Sequence, residues 1–110
     1  MKLLLEHQAN VNRLDKDGRT ALHSAASKGN EAIVKLLLEH QADVNRQDEE
    51  GWTALHLAAY KENKAVVKQL MGCEAGIGIT TNEKKTTLQL ATKRGYIGIV
   101  RLLSQYPLTR

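Results

Sequence analysis

The sequence predicts an all-α fold, a solenoid of stacked helix-turn-helix units joined by short hairpin-like turns. Two observations carry the prediction. One stretch of the chain recurs at a fixed offset of 33 residues, without insertion or deletion, and a period of this size is typical of repeat architectures. Within each copy, two short segments space their apolar residues as a helix does. Helices of about eight to ten residues are marginal alone in water, so each unit must pack against its neighbours.

The repeated segment is best preserved in residues 15–26, DKDGRTALHSAA, and in residues 48–59, DEEGWTALHLAA. A more divergent copy, TNEKKTTLQLAT, occupies residues 81–92. The first four residues of the preserved copies are typical of a turn, because glycine adopts positive φ without strain. These copies divide a single domain, residues 1–110, into a partial repeat (1–12), a first repeat (13–45), a second repeat (46–78) and a third repeat (79–110).

The partial repeat corresponds to the last third of a unit, because Leu3–Leu5 recurs 33 residues later as Leu36–Leu38. The first helix of this unit is missing. We therefore expect either a fragment of a longer array or a truncated product with an incomplete N-terminal end. A run of three leucines followed directly by Glu6 is too short for a signal peptide or a membrane span.

The first repeat is predicted to contain two helices. Thr20 can cap a helix over Ala21–Lys28 through its hydroxyl group. Gly29 suits the left-handed position just past a helix end, so the first helix should stop there. The second helix is predicted from Glu31 to about His40, with a broader apolar face that can contact helices on two sides.

The second repeat follows the same pattern, with helices predicted over Thr53–Tyr60 and Lys64–Met71. Glu62 stands where the first repeat has its helix-stopping glycine. A glutamate is poorly suited to positive φ, whereas asparagine tolerates it. The replacement therefore costs a favourable helix stop unless Asn63 takes over the left-handed position.

The third repeat is the most divergent and is predicted to be a degenerate C-terminal capping repeat. Gly95 restores the helix stop, and a second helix is expected over Ile97–Ser104. Ser104 and Gln105 then stand where the first repeat has Leu38 and Glu39, and Pro107 disfavours continuation of the helix.

The 33-residue period, the segment Gly-x-Thr-Ala-Leu-His-x-Ala-Ala and the segment Ala-Asp-Val-Asn together resemble the ankyrin-repeat family. The resemblance covers essentially the whole chain. It departs at Ala21 and Ala54, where the family prefers proline at the start of the first helix. The resemblance implies an elongated, slightly curved stack whose turn tips and first helices form a concave face on which protein partners usually dock.

The resemblance implies which residues of this chain lie on that face, because each repeat position of the family corresponds to a numbered position here. These are the predicted partner-binding residues. Trp52 and Tyr60 lie eight positions apart within one repeat, and exposed aromatic residues beside charges are common interface anchors. Packing of Trp52 on a neighbouring turn and burial of Tyr60 at a helix edge are the alternatives. The full predicted set is Lys16, Asp17, Arg19, Lys28, Glu49, Glu50, Trp52, Tyr60, Lys61, Lys85, Lys93 and Arg94.

Charges of both signs recur along the predicted face. Lys28, Lys61 and Arg94 share one register and would form a basic ladder, although a solvated surface explains them equally. Acidic residues are expected at the turn tips: Asp15, Asp17, Asp48, Glu49 and Glu50. A partner should therefore carry both signs of charge and an apolar group for the aromatic pair.

The sequence offers no positive support for catalysis, and we predict that the chain is not an enzyme and uses no cofactor or metal. His23 and His56 recur in register, but each can hydrogen-bond to the threonine three residues earlier, and zinc needs about four converging ligands. No phosphate-binding loop, dinucleotide fingerprint or Ser-His-Asp order is present. Cys73 is the single cysteine, which excludes an intrachain disulfide and suits the cytoplasm or nucleus.

Three functions follow from these observations. The favoured function is a monomeric, non-catalytic scaffold that binds a protein partner and does not associate with membranes. A formal charge of +4 and the basic ladder leave a nucleic-acid contact module as an alternative. A structural fragment of a longer ankyrin array is the other alternative. Asn45, which follows Asp43 and Val44, also resembles the site at which a cytosolic oxygenase hydroxylates ankyrin-repeat asparagines, although a turn-stabilising role explains it as well.

Overall fold

The computed structural model describes residues 11–73 and 75–105. Within these ranges the chain is all-helical, as predicted, and the helices come in three successive pairs. The positions expected for most of the partial repeat, residues 1–10, lie outside the described residues, and the boundaries of the repeats stay predictions. The helices are α1 (Ala21–Lys28), α2 (Glu31–Glu39), α3 (Ala54–Tyr60), α4 (Lys64–Gly72), α5 (Thr87–Arg94) and α6 (Ile97–Gln105).

The first helix of each pair begins with the same capping device. The Thr20 backbone N–H donates to Nδ1 of His23 at 3.0 Å, and the His23 N–H donates back to the Thr20 hydroxyl at 3.4 Å. Such a reciprocal pair satisfies two backbone donors that a helix start leaves free. The second repeat copies it with Thr53 and His56. The third repeat uses Thr86 and Gln89, so all three copies of the repeated segment share one conformation.

A tight turn precedes each of these helices, and one side chain organises it. In the first repeat, Oδ1 of Asp15 accepts hydrogen bonds from the backbone N–H groups of Asp17 at 2.8 Å and Arg19 at 3.0 Å. These bonds stabilise the charged carboxylate and lower the pKa of Asp15 from its usual value. Gly18 closes the turn at a φ of 74°. The equivalent organising residues are Asp48 and Thr81.

The end of α3 decides between the two alternatives for the missing glycine. Glu62 itself adopts the left-handed conformation, with a φ of 60°, whereas Asn63 has a φ of −87°. Asn63 therefore does not take over the left-handed position, and the less favourable residue occupies it. The Asn63 amide is committed elsewhere, because it donates to the carbonyls of Ala26 at 2.7 Å and Ser27 at 3.0 Å in the last turn of α1. A Cβ on Gly29 would lie 2.9 Å from the Asn63 amide oxygen, so glycine also permits this close contact.

The core lies between successive helix pairs. The first helices α1, α3 and α5 stack closely, and the second helices α2, α4 and α6 pack more sparsely behind them. Small side chains line the closely packed layer, since Ala26, Ala58, Ala59 and Ala91 are fully buried. No helix among the described residues is long and apolar enough to cross a lipid bilayer. This arrangement leaves one side of the first helices, together with the turns before them, facing outwards.

Candidate functional site

A groove opens between α3 and α5, bordered by the turn that precedes α5. We call it the aromatic groove, and its volume is about 590 Å³. Five of the twelve predicted partner-binding residues meet in it: Trp52, Tyr60, Lys85, Lys93 and Arg94. The complete lining is Trp52, Tyr60, Glu83, Lys85, Gln89, Leu90, Lys93 and Arg94.

Trp52 is held firmly by its own backbone. Its N–H donates to Oδ1 of Asp48 at 2.9 Å. Its carbonyl accepts from the Asp48 N–H at 2.9 Å and from Nε2 of His23 at 2.9 Å. The indole ring is half-buried and meets the Tyr60 ring edge to face, with centroids 5.2 Å apart and an interplanar angle of 88°. The Trp52 backbone is therefore fixed, and the indole, packed against Tyr60, forms one wall of the aromatic groove.

Asp48 was expected as a surface acid at a turn tip, and the structure corrects this. The residue is buried, with 8% of its surface exposed. Its carboxylate accepts backbone hydrogen bonds from Glu50 and Trp52 and forms an ion pair with Nε of Arg19 at 3.0 Å. A buried carboxylate needs such partners to offset its lost hydration. Asp48 therefore connects the turns of the first and second repeats, and the Arg19 guanidinium is occupied by this ion pair.

Arg94 closes the aromatic groove at the end of α5. Its Cζ lies 4.3 Å from the centre of the Tyr60 ring and 5.3 Å from the centre of the Tyr96 ring. Its Nε donates to the Tyr96 hydroxyl at 2.9 Å, and this hydrogen bond raises the pKa of Arg94 above its already high value. A cation over an aromatic face is attracted by the ring quadrupole. The guanidinium is therefore fixed in place and remains charged.

Sequence reasoning missed Tyr96, although a signal was present. In register, Tyr96 corresponds to Asn30 and Asn63 of the first and second repeats. Asn30 caps α2 by accepting from the Ile33 N–H, whereas a tyrosine has no such short acceptor. The replacement of a capping residue by an aromatic one at this position could have marked Tyr96 as functional.

The other predicted partner-binding residues lie outside the aromatic groove, and their roles stay predictions. Asp17, Arg19, Glu49 and Glu50 line a small depression of about 180 Å³ at the turn tips, with Asp48 beneath them. The basic ladder is uneven, because Arg94 stacks on tyrosine rings while its counterparts do not contact them. Among the predicted partner-binding residues outside the groove, the exposed ones are Lys16, Asp17, Lys28, Glu49, Glu50 and Lys61.

His23 and His56 are both buried, and burial lowers the pKa of each below its usual value of 6.5. Nδ1 of each ring accepts from a threonine N–H, which leaves the proton on Nε2. Nε2 of His23 uses that proton to bind the Trp52 carbonyl, whereas Nε2 of His56 lies beside the backbone of Ile79 and Lys85 without forming a hydrogen bond of comparable geometry in the described part of the chain. Across residues 11–73 and 75–105, no three His, Cys, Asp or Glu side chains converge on a point that could hold a metal.

Asn45, at the end of the first repeat, connects that repeat to the second. Its Oδ1 accepts from the Gly76 N–H at 2.7 Å, and its own N–H donates to Oδ1 of Asp43 at 3.1 Å. These bonds give the side chain a structural role between neighbouring repeats. Hydroxylation of Asn45 stays a prediction.

Two family models match the chain, and both describe the same kind of repeat. The model described as "Ankyrin repeats (many copies)" matches residues 4–58, which is half of the chain. The model described as "Ankyrin repeats (3 copies)" matches residues 42–108. A search of curated proteins gave no significant match.

Proposed function

Since the chain belongs to the ankyrin-repeat family, we propose that it is a non-catalytic scaffold that binds a protein partner through its turn tips and the concave face of its first helices. Ankyrin repeats are generally protein–protein interaction modules. The observation that carries the proposal for this chain is the aromatic groove, in which Trp52, Tyr60 and Arg94 contact one another. Tryptophan, tyrosine and arginine are the residue types that dominate the binding energy of protein interfaces.

The rigidity of these side chains supports the proposal. Ordering a long side chain on binding costs free energy, and a group that is already ordered avoids much of that cost. The Trp52 backbone is pinned by three hydrogen bonds, and Arg94 is held by Tyr96. The aromatic groove is therefore preorganised before a partner arrives.

A pull-down from a lysate of the source cells tests the proposal. The wild-type chain is compared with a variant in which Trp52 and Tyr60 are both alanine. The matched control replaces Leu14 and Ile97 by alanine, because these two apolar side chains are exposed, at 45% and 66%, and lie outside the aromatic groove. We expect the groove variant to lose the captured protein and the control to retain it. Equal capture by both variants would contradict the proposal.

The single substitution Trp52→Ala separates binding from folding. The ring contributes to a half-buried surface, so its loss should lower the melting temperature modestly, whereas affinity for the captured partner should fall about tenfold or more. Titration calorimetry and thermal unfolding of the same samples measure the two effects. A loss of stability with full retention of affinity would reject Trp52 as an anchor.

A further inference from the structure

We infer, on the premise of the protein-binding function proposed above, that the aromatic groove receives an acidic segment of an extended peptide chain. One carboxylate of that segment pairs with the guanidinium of Arg94. A neighbouring apolar side chain lies against Trp52 and Leu90.

Arg94 has the geometry of a preformed carboxylate receptor. Tyr96 holds one edge of the guanidinium through Nε, and the Tyr60 ring supports its plane. No hydrogen bond or ion pair from the two terminal nitrogens to another described residue is present. Those nitrogens form the planar fork that matches a carboxylate with two parallel hydrogen bonds. The arginine is therefore oriented, charged and open to an incoming anion.

The charge balance of the aromatic groove favours an acidic occupant. Its lining contains three cationic side chains, Lys85, Lys93 and Arg94, and one acidic side chain, Glu83. The two ion pairs among the described residues, Arg19–Asp48 and Arg46–Asp43, lie elsewhere. The positive charges of the groove are therefore not neutralised by ion pairing, and complementary charge on a partner gives both faster association and specificity.

Apart from the charged residues and Gln89, the lining of the aromatic groove is apolar or aromatic and would contact the apolar side chain of the peptide segment. Trp52 and Leu90 are both half-buried, so each presents part of its apolar surface to the aromatic groove. An apolar side chain placed there would exclude water from a wall that is already rigid. The expected ligand thus combines an aspartate or glutamate with a nearby aliphatic or aromatic residue.

A nucleic-acid strand fits the same surface less well. Bases bind to exposed aromatic faces, but Arg94 covers the face of Tyr60. Asp17, Glu49 and Glu50 place exposed carboxylates at the turn tips and would repel a phosphate backbone.

A random peptide library displayed on phage tests this proposal. The library is selected in parallel on the wild-type chain, on the Arg94→Glu variant and on the Lys28→Glu variant. Lys28 is the matched control, because it is the exposed counterpart of Arg94 two repeats earlier and lies outside the aromatic groove. Peptides selected on the wild type and on Lys28→Glu should carry a net negative charge with an apolar residue beside an acidic one. Selection on Arg94→Glu should lose that preference.

The selected peptide is then synthesised, and its affinity is measured through the fluorescence of Trp52, the only tryptophan of the chain. Arg94→Lys keeps the positive charge but removes the planar fork, so we expect affinity to fall about tenfold or more. Lys28→Met should bind as the wild type does. Retention of full affinity by Arg94→Lys would overturn the assignment of the carboxylate to Arg94.

The outcomes separate this inference from the function on which it depends. Enrichment of neutral or basic peptides that still require Trp52 would overturn the acidic ligand and leave the protein-binding function standing. Tighter binding of a thymidine oligonucleotide than of the selected peptide, lost in Arg94→Glu, would overturn it in favour of a nucleic-acid partner. Failure to enrich any peptide on all three baits would overturn the inference. Failure to capture any partner in the pull-down would independently count against the protein-binding function.

Discussion

The second repeat meets its two neighbours through different chemistry. The interface with the first repeat, here the N-side interface, contains the buried pair Arg19–Asp48 and the hydrogen bond from His23 to the Trp52 carbonyl. In the interface with the third repeat, here the C-side interface, the residues in register with Arg19 and Asp48 are Trp52 and Thr81. An ion pair on one side thus corresponds to an aromatic side chain and a threonine on the other.

A second register position shows the same exchange. Asn63 donates its amide to the end of α1 across the N-side interface. Its counterpart at the C-side interface is Tyr96, which instead holds Arg94. The register positions that join the repeats at the N-side interface are therefore occupied by Trp52 and Tyr96 at the C-side interface. Trp52 lines the aromatic groove, and Tyr96 holds its arginine.

The C-side interface remains joined at its turns but is less complete beneath them. Gln47 donates to the Thr80 carbonyl at 2.9 Å, and Asn82 donates to the Glu49 carbonyl at 2.8 Å. Two of the three buried side-chain atoms without a partner among the described residues, Nε2 of His56 and Oγ1 of Thr87, belong to the second and third repeats. The third is Oε1 of Gln69, whose amide donates to the Glu31 carbonyl across the N-side interface. Such atoms lower stability. On the proposed function, we expect the N-side interface to contribute mainly to stability and the C-side interface mainly to binding.

The substitution Asp48→Ala should have the largest effect on folding. It removes two backbone hydrogen bonds to a buried carboxylate and leaves Arg19 unpaired, so the free energy of unfolding should fall by about 2–4 kcal/mol. Thr81→Ala removes the equivalent turn residue at the C-side interface, where both hydrogen bonds are long, at 3.3 Å. Its cost should be about 1 kcal/mol or less. Urea unfolding of both variants measures the difference, and equal losses would contradict the distinction between the two interfaces.

The substitutions His23→Gln and His56→Gln test the same distinction with one chemical change. The third repeat already shows that glutamine can complete the cap, because Oε1 of Gln89 accepts from the Thr86 N–H at 2.8 Å. Only His23 also binds the Trp52 carbonyl. His23→Gln should therefore cost about 1 kcal/mol more than His56→Gln, measured by urea unfolding at pH 7.5. A larger loss for His56→Gln would reverse the comparison.

The pH dependence of the same two variants sharpens the result. Burial lowers the pKa of both histidines in the folded chain, whereas in the unfolded chain each titrates near 6.5. Below pH 6.5 the unfolded chain binds protons that the folded chain does not, so the free energy of unfolding falls as the pH drops from 7.5 to 5.5. Each variant retains one of the two histidines and should show a shallower fall than the wild type. A slope equal to that of the wild type would exclude the substituted histidine as its source.

The sequence was sufficient for the fold because the repeat period constrains every helix pair. The bounds predicted for the first helix, Ala21–Lys28, agree with the structure, since threonine and glycine mark its two ends. The sequence also singled out Trp52 and Tyr60, because the family resemblance places their register positions on the exposed docking face. Both are half-buried in the structure, and their role in binding stays a prediction. The helix bounds depended on local signals that recur in each copy, whereas the aromatic pair occurs in the second repeat alone among the three.

The parts that escaped prediction depend on contacts between repeats. Asp15 and Asp48 occupy the same position in similar turns, yet Asp15 is exposed and Asp48 is buried. The difference arises because Arg19 of the preceding repeat covers Asp48, which no local pattern records. The amide of Asn63 likewise donates to the end of α1 and does not cap its own helix. Residues that act across an interface need the stacked structure before their role can be assigned.

The smallest predicted effect concerns Glu62, which adopts the left-handed conformation next to Asn63, whose amide binds the end of α1. A residue with a side chain is strained at a φ of 60°, by about 1–2 kcal/mol, while glycine adds entropy to the unfolded chain worth about 0.5–1 kcal/mol. Glu62→Gly should therefore raise the free energy of unfolding by about 0.5–1 kcal/mol. The neighbouring control Lys61→Gly, at a φ of −92°, relieves no strain and should lower it. Urea unfolding distinguishes the two signs, and destabilisation by both glycines would show that Glu62 makes a contribution through its side chain that outweighs the backbone strain.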